Sequence, residues 1–231
     1  LRVAVSWSGG KDSCLAYQKA LAQGHEICCI VTFLWENPSL AHPLHIIELQ
    51  AKALKAKCFK AETREPYFEH YRKALSSLVE KEGIEAIITG DIAPLDAFHG
   101  NWMEDVCKGL NLKVIKPLWG VDRYQILKEL ISEGCKAVFS CVKKPWFDEK
   151  WLGRELNWES LEELEKLRDR YGMDLCGENG EYHTLIVDAP IFNETIEIPK
   201  YNVVRRNGTF HMEIEEAYLK PKALNWKREN E

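Results

Sequence analysis

Two rhythms of hydrophobic positions run along this chain: short apolar runs with strand spacing, and longer stretches with an apolar residue every third or fourth place. Val3 and Val5 take alternate places in residues 1–7, which predicts a strand, and residues 14–22 are apolar at helical intervals. Residues 27–34 predict a second strand. Leu44, Ile47, Ala51 and Leu54 mark a helix face expected to end near Lys57, and residues 58–61 read as a short third strand. Tyr67 or Phe68, Tyr71, Leu75 and Leu78 trace the next helix, closed by Gly83; a compact strand at 86–89 then ends on Gly90-Asp91. A helix at 102–109 and a strand at 112–115 complete an alternation that predicts a parallel sheet covered by helices, joined by right-handed crossovers.

Pro117, Gly120 and Pro145 mark changes of course, after which the pattern becomes rich in strands. A helix at 124–131 leads to a strand at 137–142. Leu161, Leu164, Leu167 and Tyr171 form the inner side of a later helix that ends near Gly172, with the charged series from Glu159 to Arg170 facing solvent. Strands are expected at 185–187, 195–198 and 202–206, and Asn207-Gly208 suits a tight turn into the alternating segment 211–219. The predicted class is therefore α/β, with a parallel-sheet domain at 1–120, a smaller α+β domain at 121–220 and a charged tail at 221–231.

Composition narrows this picture in three ways. A net charge of −5 argues against a broad basic surface for nucleic acid. Eight cysteines without a Cys-x-x-Cys pair read as buried free thiols in a reducing, cytoplasmic compartment; Cys135, Cys141, Cys176 and His183 are the set to consider for zinc. No segment has the pattern of a signal peptide or a membrane span.

The chemistry begins at Ser8-Gly9-Gly10-Lys11-Asp12-Ser13, between the first strand and the first helix. Glycines there expose backbone N–H groups, and the helix presents its positive end to an anion, which is the environment a phosphate needs. The spacing is neither Gly-x-x-x-x-Gly-Lys nor Gly-x-Gly-x-x-Gly. The plain alternative is a turn at Gly9-Gly10 with Asp12 or Ser13 capping the helix and Lys11 in solvent.

The hexapeptide resembles the loop of the PP-loop ATP pyrophosphatases, whose domain is of the adenine nucleotide α-hydrolase type and which cleave ATP between the α and β phosphates. The resemblance implies that Ser8, Gly9, Gly10 and Ser13 surround the leaving pyrophosphate, that Lys11 neutralises charge and that Asp12 orients magnesium. Gly90-Asp91-Ile92, Pro117-Leu118-Trp119 and Gly177-Glu178-Asn179-Gly180-Glu181-Tyr182-His183-Thr184 are similar to landmarks of the diphthine ammonia ligase family. That family uses ATP and ammonia to convert the diphthine carboxylate of elongation factor 2 into an amide, releasing AMP and pyrophosphate. Asn179 and His183 depart from its Glu-Gly-Gly-Glu-aromatic-Glu-Thr pattern toward a paralogous group associated with corrinoid metabolism.

Under this resemblance Gly90 and Asp91 support the ATP site, against a plain turn and a cap. Glu178 and Glu181 order the loop over an acyl-adenylate, position ammonium or accept its proton, against two glutamates facing solvent. Tyr182 either stacks on substrate or packs in the core, and His183 either contacts the acceptor carboxylate or supports an acidic side chain. His42 and His45 share a face at a helix start, at the nucleotide mouth or in packing; His99 is a candidate for shaping the acceptor site; Trp146, Phe147 and Trp151 anchor the smaller domain. The leading expectation is an ATP- and magnesium-dependent carboxylate–amide ligase. An RNA-modifying PP-loop enzyme and an ATP-binding regulator without turnover are the alternatives.

Overall fold

The computed structural model describes residues 1–36, 39–93 and 102–222. His99 and the tail from residue 223 lie outside the described residues. The first unit runs β1 (Arg2–Ser6), α1 (Lys11–Ala22), β2 (Glu26–Trp35), α2 (Leu44–Leu54), β3 (Cys58–Thr63), α3 (Tyr67–Glu82), β4 (Ala86–Ile88), α4 (Trp102–Cys107) and β5 (Lys113–Ile115). Its strands form a parallel sheet in the order β3-β2-β1-β4-β5. Neighbouring loops after β1 and β4 therefore diverge to opposite sides, and the crevice they leave at the strands' carboxyl ends is where such sheets bind ligands. The helices end as the sequence predicts at Gly83, which takes a left-handed φ of 63°, but α2 stops at Leu54 rather than near Lys57, because Lys55 itself turns left-handed and closes the helix.

The second unit runs α5 (Arg123–Ser132), β6 (Lys136–Lys143), α6 (Trp158–Tyr171), β7 (Tyr182–Asp188), β8 (Glu194–Arg206) and β9 (Thr209–Pro221), with an antiparallel sheet in the order β7-β6-β9-β8. Asp122 caps α5 by accepting from Gln125 N at 3.1 Å, and Asn157 with Ser160 forms a capping box on α6. Asn207 and Gly208 both take positive φ, 45° and 83°, as a two-residue hairpin turn requires. The two strands expected at 195–198 and 202–206 are a single strand. Pro199 and a register irregularity interrupt its pattern, and β8 tolerates a residue without an N–H because it lies at the sheet edge.

One buried cluster runs from Val5, Leu15 and Ile47 through Leu127 and Phe139 to Leu185 and Met212, so the two sheets share a core through α1 and α2. A second cluster, with Val31, Leu75, Ile87 and Val106, covers the opposite face of the parallel sheet under α3 and α4. The two units are also joined by hydrogen bonds: Asn193 N donates to Ala53 O at 2.7 Å and Ile186 N to Gly9 O at 3.0 Å. The second of these fixes β7 against the glycine loop. No helix among the described residues is long and apolar enough to cross a membrane.

Candidate functional site

The loop after β1 is held from three sides. Gly9 takes a φ of 86°, and a Cβ there would lie 2.7 Å from Gln50 Oε1, so both backbone and space require glycine. Gln50, fully buried on α2, donates through Nε2 to Gly9 O and Ile186 O, both at 2.9 Å, and accepts from Trp7 Nε1 at 2.8 Å. Gly10 caps α1 without a side chain, leaving the first-turn amides to be bonded from outside the helix. Thr184 Oγ1 takes that of Lys11 at 3.2 Å. Ser13 is buried, its hydroxyl donating to Gly10 O at 3.0 Å and lying 3.3 Å from Ser8 Oγ. It braces the loop from behind, while Ser8 stands on the wall of a cleft of about 830 Å³ shared with Thr32, Phe33, Trp35, His42 and Tyr71. That volume is in the range of small-ligand sites.

Lys11 turns away from solvent into the second unit. Only 4% exposed, its Nζ donates to Asp12 Oδ2 at 2.8 Å and to Cys176 O at 2.6 Å and lies 5.3 Å from the Tyr182 ring centre. Burial by itself would lower its affinity for a proton, but Asp12, with Glu178 beyond it, outweighs this and holds the ammonium above the ordinary lysine value. The other Asp12 oxygen, Oδ1, is buried without a hydrogen-bond partner. An unsatisfied carboxylate oxygen beside hydroxyls and a glycine loop suits a hard divalent cation, and magnesium is commonly held by one or two carboxylates together with phosphate oxygens and water. Among the described residues no group of three or more His, Cys, Asp or Glu is placed to hold a metal. The three cysteines considered for zinc with His183 are separately engaged: Cys135 Sγ donates to Gln18 Oε1 at 2.8 Å, Cys176 Sγ to Arg123 O at 3.5 Å, and Cys141 Sγ lies 3.9 Å from His211 Nε2.

Residues 174–181 form a loop folded around two carboxylates. Asp174 Oδ1 accepts from Cys176 N at 2.8 Å and Glu178 N at 3.4 Å, and its Oδ2 accepts from Arg123 Nε at 3.1 Å. Glu181, 1% exposed, accepts from Asp174 N at 2.8 Å, Asn179 N at 3.0 Å and Asn179 Nδ2 at 3.2 Å. Of the roles open to Glu181, ordering the loop is the one these contacts serve. Glu178 differs: its side chain is exposed and its carboxylate accepts no hydrogen bond among the described residues. Partial burial and then the Asp12 charge push it up to about 7, with solvent on its open side competing against that push.

Tyr182 is a core residue, packed edge-on against Phe139 and Phe147 with its hydroxyl bonded to Leu175 O at 2.7 Å, so it does not stack on substrate. Phe147 and Trp151 pack in the same aromatic group and anchor the smaller domain. His183, the next residue on β7, is exposed on the other face and meets His42 edge-to-face at 5.4 Å between ring centres. A Cβ on Gly10 would lie 3.2 Å from both the His42 ring and Thr184 O, so the glycine loop passes closely between these two elements. His45 is exposed on α2 and does not share that contact.

Burial, then His183 and Lys11, push His42 down to about 3. A histidine whose folded value lies below its unfolded one gains a proton on unfolding, so its contribution to stability falls as pH drops from the unfolded value of 6.5 toward 3. His42→Gln is expected to flatten the decline of melting temperature between about pH 7 and pH 5. Identical slopes for the two proteins in thermal denaturation would exclude His42 as its source.

Gly90 is fixed by its packing against the glycine loop. A Cβ there would lie 2.8 Å from Asp12 C and 2.9 Å from Ser13 N, so its glycine lets the end of β4 touch the first turn of α1. Asp91 accepts from the Thr89 hydroxyl at 2.8 Å; burial raises its value, opposed by that bond and by Lys116. The site thus unites Ser8 to Ser13, Gly90, Glu178, His183 and His42. The sequence reading did not find Gln50, Asp174 or Arg123, and passed over Thr184.

A family model described as the diphthamide synthase N-terminal domain matches residues 1–114, and one described as the diphthamide synthase C-terminal domain matches residues 122–219. The diphthine–ammonia ligase of Mus musculus is 30% identical over 251 residues, covering 97% of this chain and 92% of that protein. The diphthine–ammonia ligase of Homo sapiens is 31% identical over 246 residues, covering 95% of this chain and 90% of that protein.

Proposed function

The chain belongs to the diphthine–ammonia ligase family of PP-loop ATP pyrophosphatases, and from that premise we propose that it activates a carboxylate with ATP and converts it into an amide with ammonia. The observation that carries this reading is the meeting of two parts: a glycine loop with an unsatisfied Asp12 oxygen, and a second loop that leaves Glu178 as a free carboxylate beside it. We place the nucleotide-binding unit at residues 1–120 and the acceptor-side unit at 121–220.

In the first step a carboxylate oxygen of the acceptor attacks the α-phosphorus, and the bond from that phosphorus to the bridging oxygen breaks. Pyrophosphate leaves over the Ser8–Ser13 loop, where the positive end of α1 faces developing negative charge and Ser8 stands on the cleft wall, while Ser13 braces the loop through Gly10 O. Asp12 Oδ1 would hold magnesium, which would supply positive charge against the phosphates. Lys11 links the two halves, its ammonium fixed between Asp12 and Cys176 O. In the second step ammonia attacks the acyl carbon, AMP leaves, and Glu178 takes the proton from nitrogen. Gly90 supports the nucleotide side through the position of β4 against α1, and Asp91, held by the Thr89 hydroxyl, stands next to it.

With rates referred to free ammonia, amide formation is expected to rise as pH passes through about 7, where Glu178 becomes the ionised base. Glu178→Gln should lower amide formation by about 100-fold and remove that rise, with ATP affinity unchanged. A parent-like pH profile in the variant would take the proton transfer away from Glu178.

For the acceptor, we propose diphthine on elongation factor 2, as the names of the relatives suggest, ahead of a corrinoid-related acid. Of the two departures in the loop, Asn179 only bonds Glu181, whereas His183 stands at the mouth beside His42. Mass analysis after parallel reactions with ATP, magnesium and ammonium tests this. A carboxylate-to-amide change on the elongation factor alone supports the proposal, and a change on the corrinoid-related acid alone contradicts it.

A further inference from the structure

Among the three acidic residues of the 174–181 loop, two are bound to the loop's own amides and one is free. Asp174 holds the outgoing half. Its Oδ1 gathers the amides of Cys176 and Glu178, so the backbone that carries the Glu178 side chain hangs directly on this carboxylate. The same carboxylate is fixed to α5 by Arg123 Nε. Arg123 also accepts the Cys176 thiol through its own carbonyl, giving the loop two attachments to one residue at the start of a helix. The adjoining carbonyls are closed off as well, that of Leu175 by the Tyr182 hydroxyl and that of Cys176 by Lys11. A short acidic loop with Asp12 nearby would otherwise relax outward under like-charge repulsion, carrying Glu178 away from the glycine loop.

From this arrangement we infer that Asp174, clamped by Arg123, is the positioning residue that presents the Glu178 carboxylate to the reacting acyl group. The inference rests on the functional reading above for what Glu178 does, but not for how the loop is held. Asp174 touches neither nucleotide nor acceptor in this role; it acts through the direction it gives the backbone at residues 176–178.

The test separates loop position from general damage. Asp174→Ala is expected to lower amide formation on diphthine-bearing elongation factor 2 by about 100-fold, the scale of a small misplacement of a reacting group, while ATP affinity stays at the parent level. Asp174→Asn keeps an oxygen to receive both amides but sets an amide N–H against Arg123 Nε, so it should recover part of the loss and not all of it. Alkylation of Cys176 by iodoacetamide, followed at that residue by mass spectrometry, needs no acceptor: the thiol is 1% exposed in the parent and should react at least about tenfold faster in the alanine variant as the loop opens. Should the alanine variant not fold, Arg123→Gln, which leaves Asp174 in place but unclamped, is expected to show the same split between amide formation and ATP affinity. A folded alanine variant with parent amidation, one whose ATP affinity falls in step with amidation, or an asparagine variant no better than alanine overturns the inference. If the parent itself amidates nothing, the functional reading fails, and the Cys176 reactivity alone decides whether Asp174 holds the loop.

Discussion

Asp12→Asn is expected to reduce AMP and pyrophosphate release by about 1000-fold, close to 4 kcal/mol of barrier, because one side chain does two electrostatic tasks at the glycine loop. Its Oδ1 is an acceptor without a partner, available to magnesium, and its Oδ2 is the counter-charge of the buried Lys11. Asparagine has the same size and still offers one oxygen, but it removes the charge from both. The loss in folding stability should be smaller, about 2 kcal/mol for a charge-assisted hydrogen bond whose remaining partner, Lys11, still bonds Cys176 O. Magnesium titration with product analysis checks this. Equal turnover of variant and parent at limiting magnesium would withdraw the metal role from Asp12.

The second large effect belongs to a residue with no functional group. In Gly90→Ala the new methyl carbon would be 2.8 Å from Asp12 C, 2.9 Å from Ser13 N and 3.0 Å from Asp12 O. All three are backbone atoms of the first turn of α1, so no side-chain rotation relieves the overlap, and either β4 or α1 has to move. Overpacking of this kind costs about 1–3 kcal/mol. Because the displaced turn carries the Ser13 amide and the Asp12 side chain, turnover should fall by about 100-fold at the same time. Gly24→Ala is the control, since a Cβ there meets nothing within 4 Å and only its φ of 76° is strained. Parent activity in Gly90→Ala, measured beside that control, would show that the contact between β4 and α1 does not set the loop's position.

These residues also show how far the sequence could be read. Alternation and helical spacing gave the parallel sheet and its helices because each element's own pattern of burial is local. The glycine loop was legible for the same reason, as its strand, turn and helix are contiguous. Gln50 was not, since its value comes from reaching Gly9 and Ile186, 41 and 136 positions away. Thr184 is 173 positions from the amide it caps. Glu178 and Glu181 stood out together as a pair of carboxylates, but which one is free depends on where Asp174 and Asn179 direct their amides, and no spacing rule conveys that. The strands expected at 195–198 and 202–206 are one because β8 lies at the sheet edge, where Pro199 interrupts the pattern without ending the strand.

The central claim is that ATP is cleaved between its α and β phosphates by attack of the acceptor's carboxylate. Its most direct test is to supply that carboxylate labelled with heavy oxygen, together with ATP, magnesium and ammonium, and to follow the label by mass spectrometry. The account predicts one labelled oxygen transferred to AMP for each amide formed, with pyrophosphate released in equal amount. ADP and inorganic phosphate as the products, with no label in AMP, would contradict it.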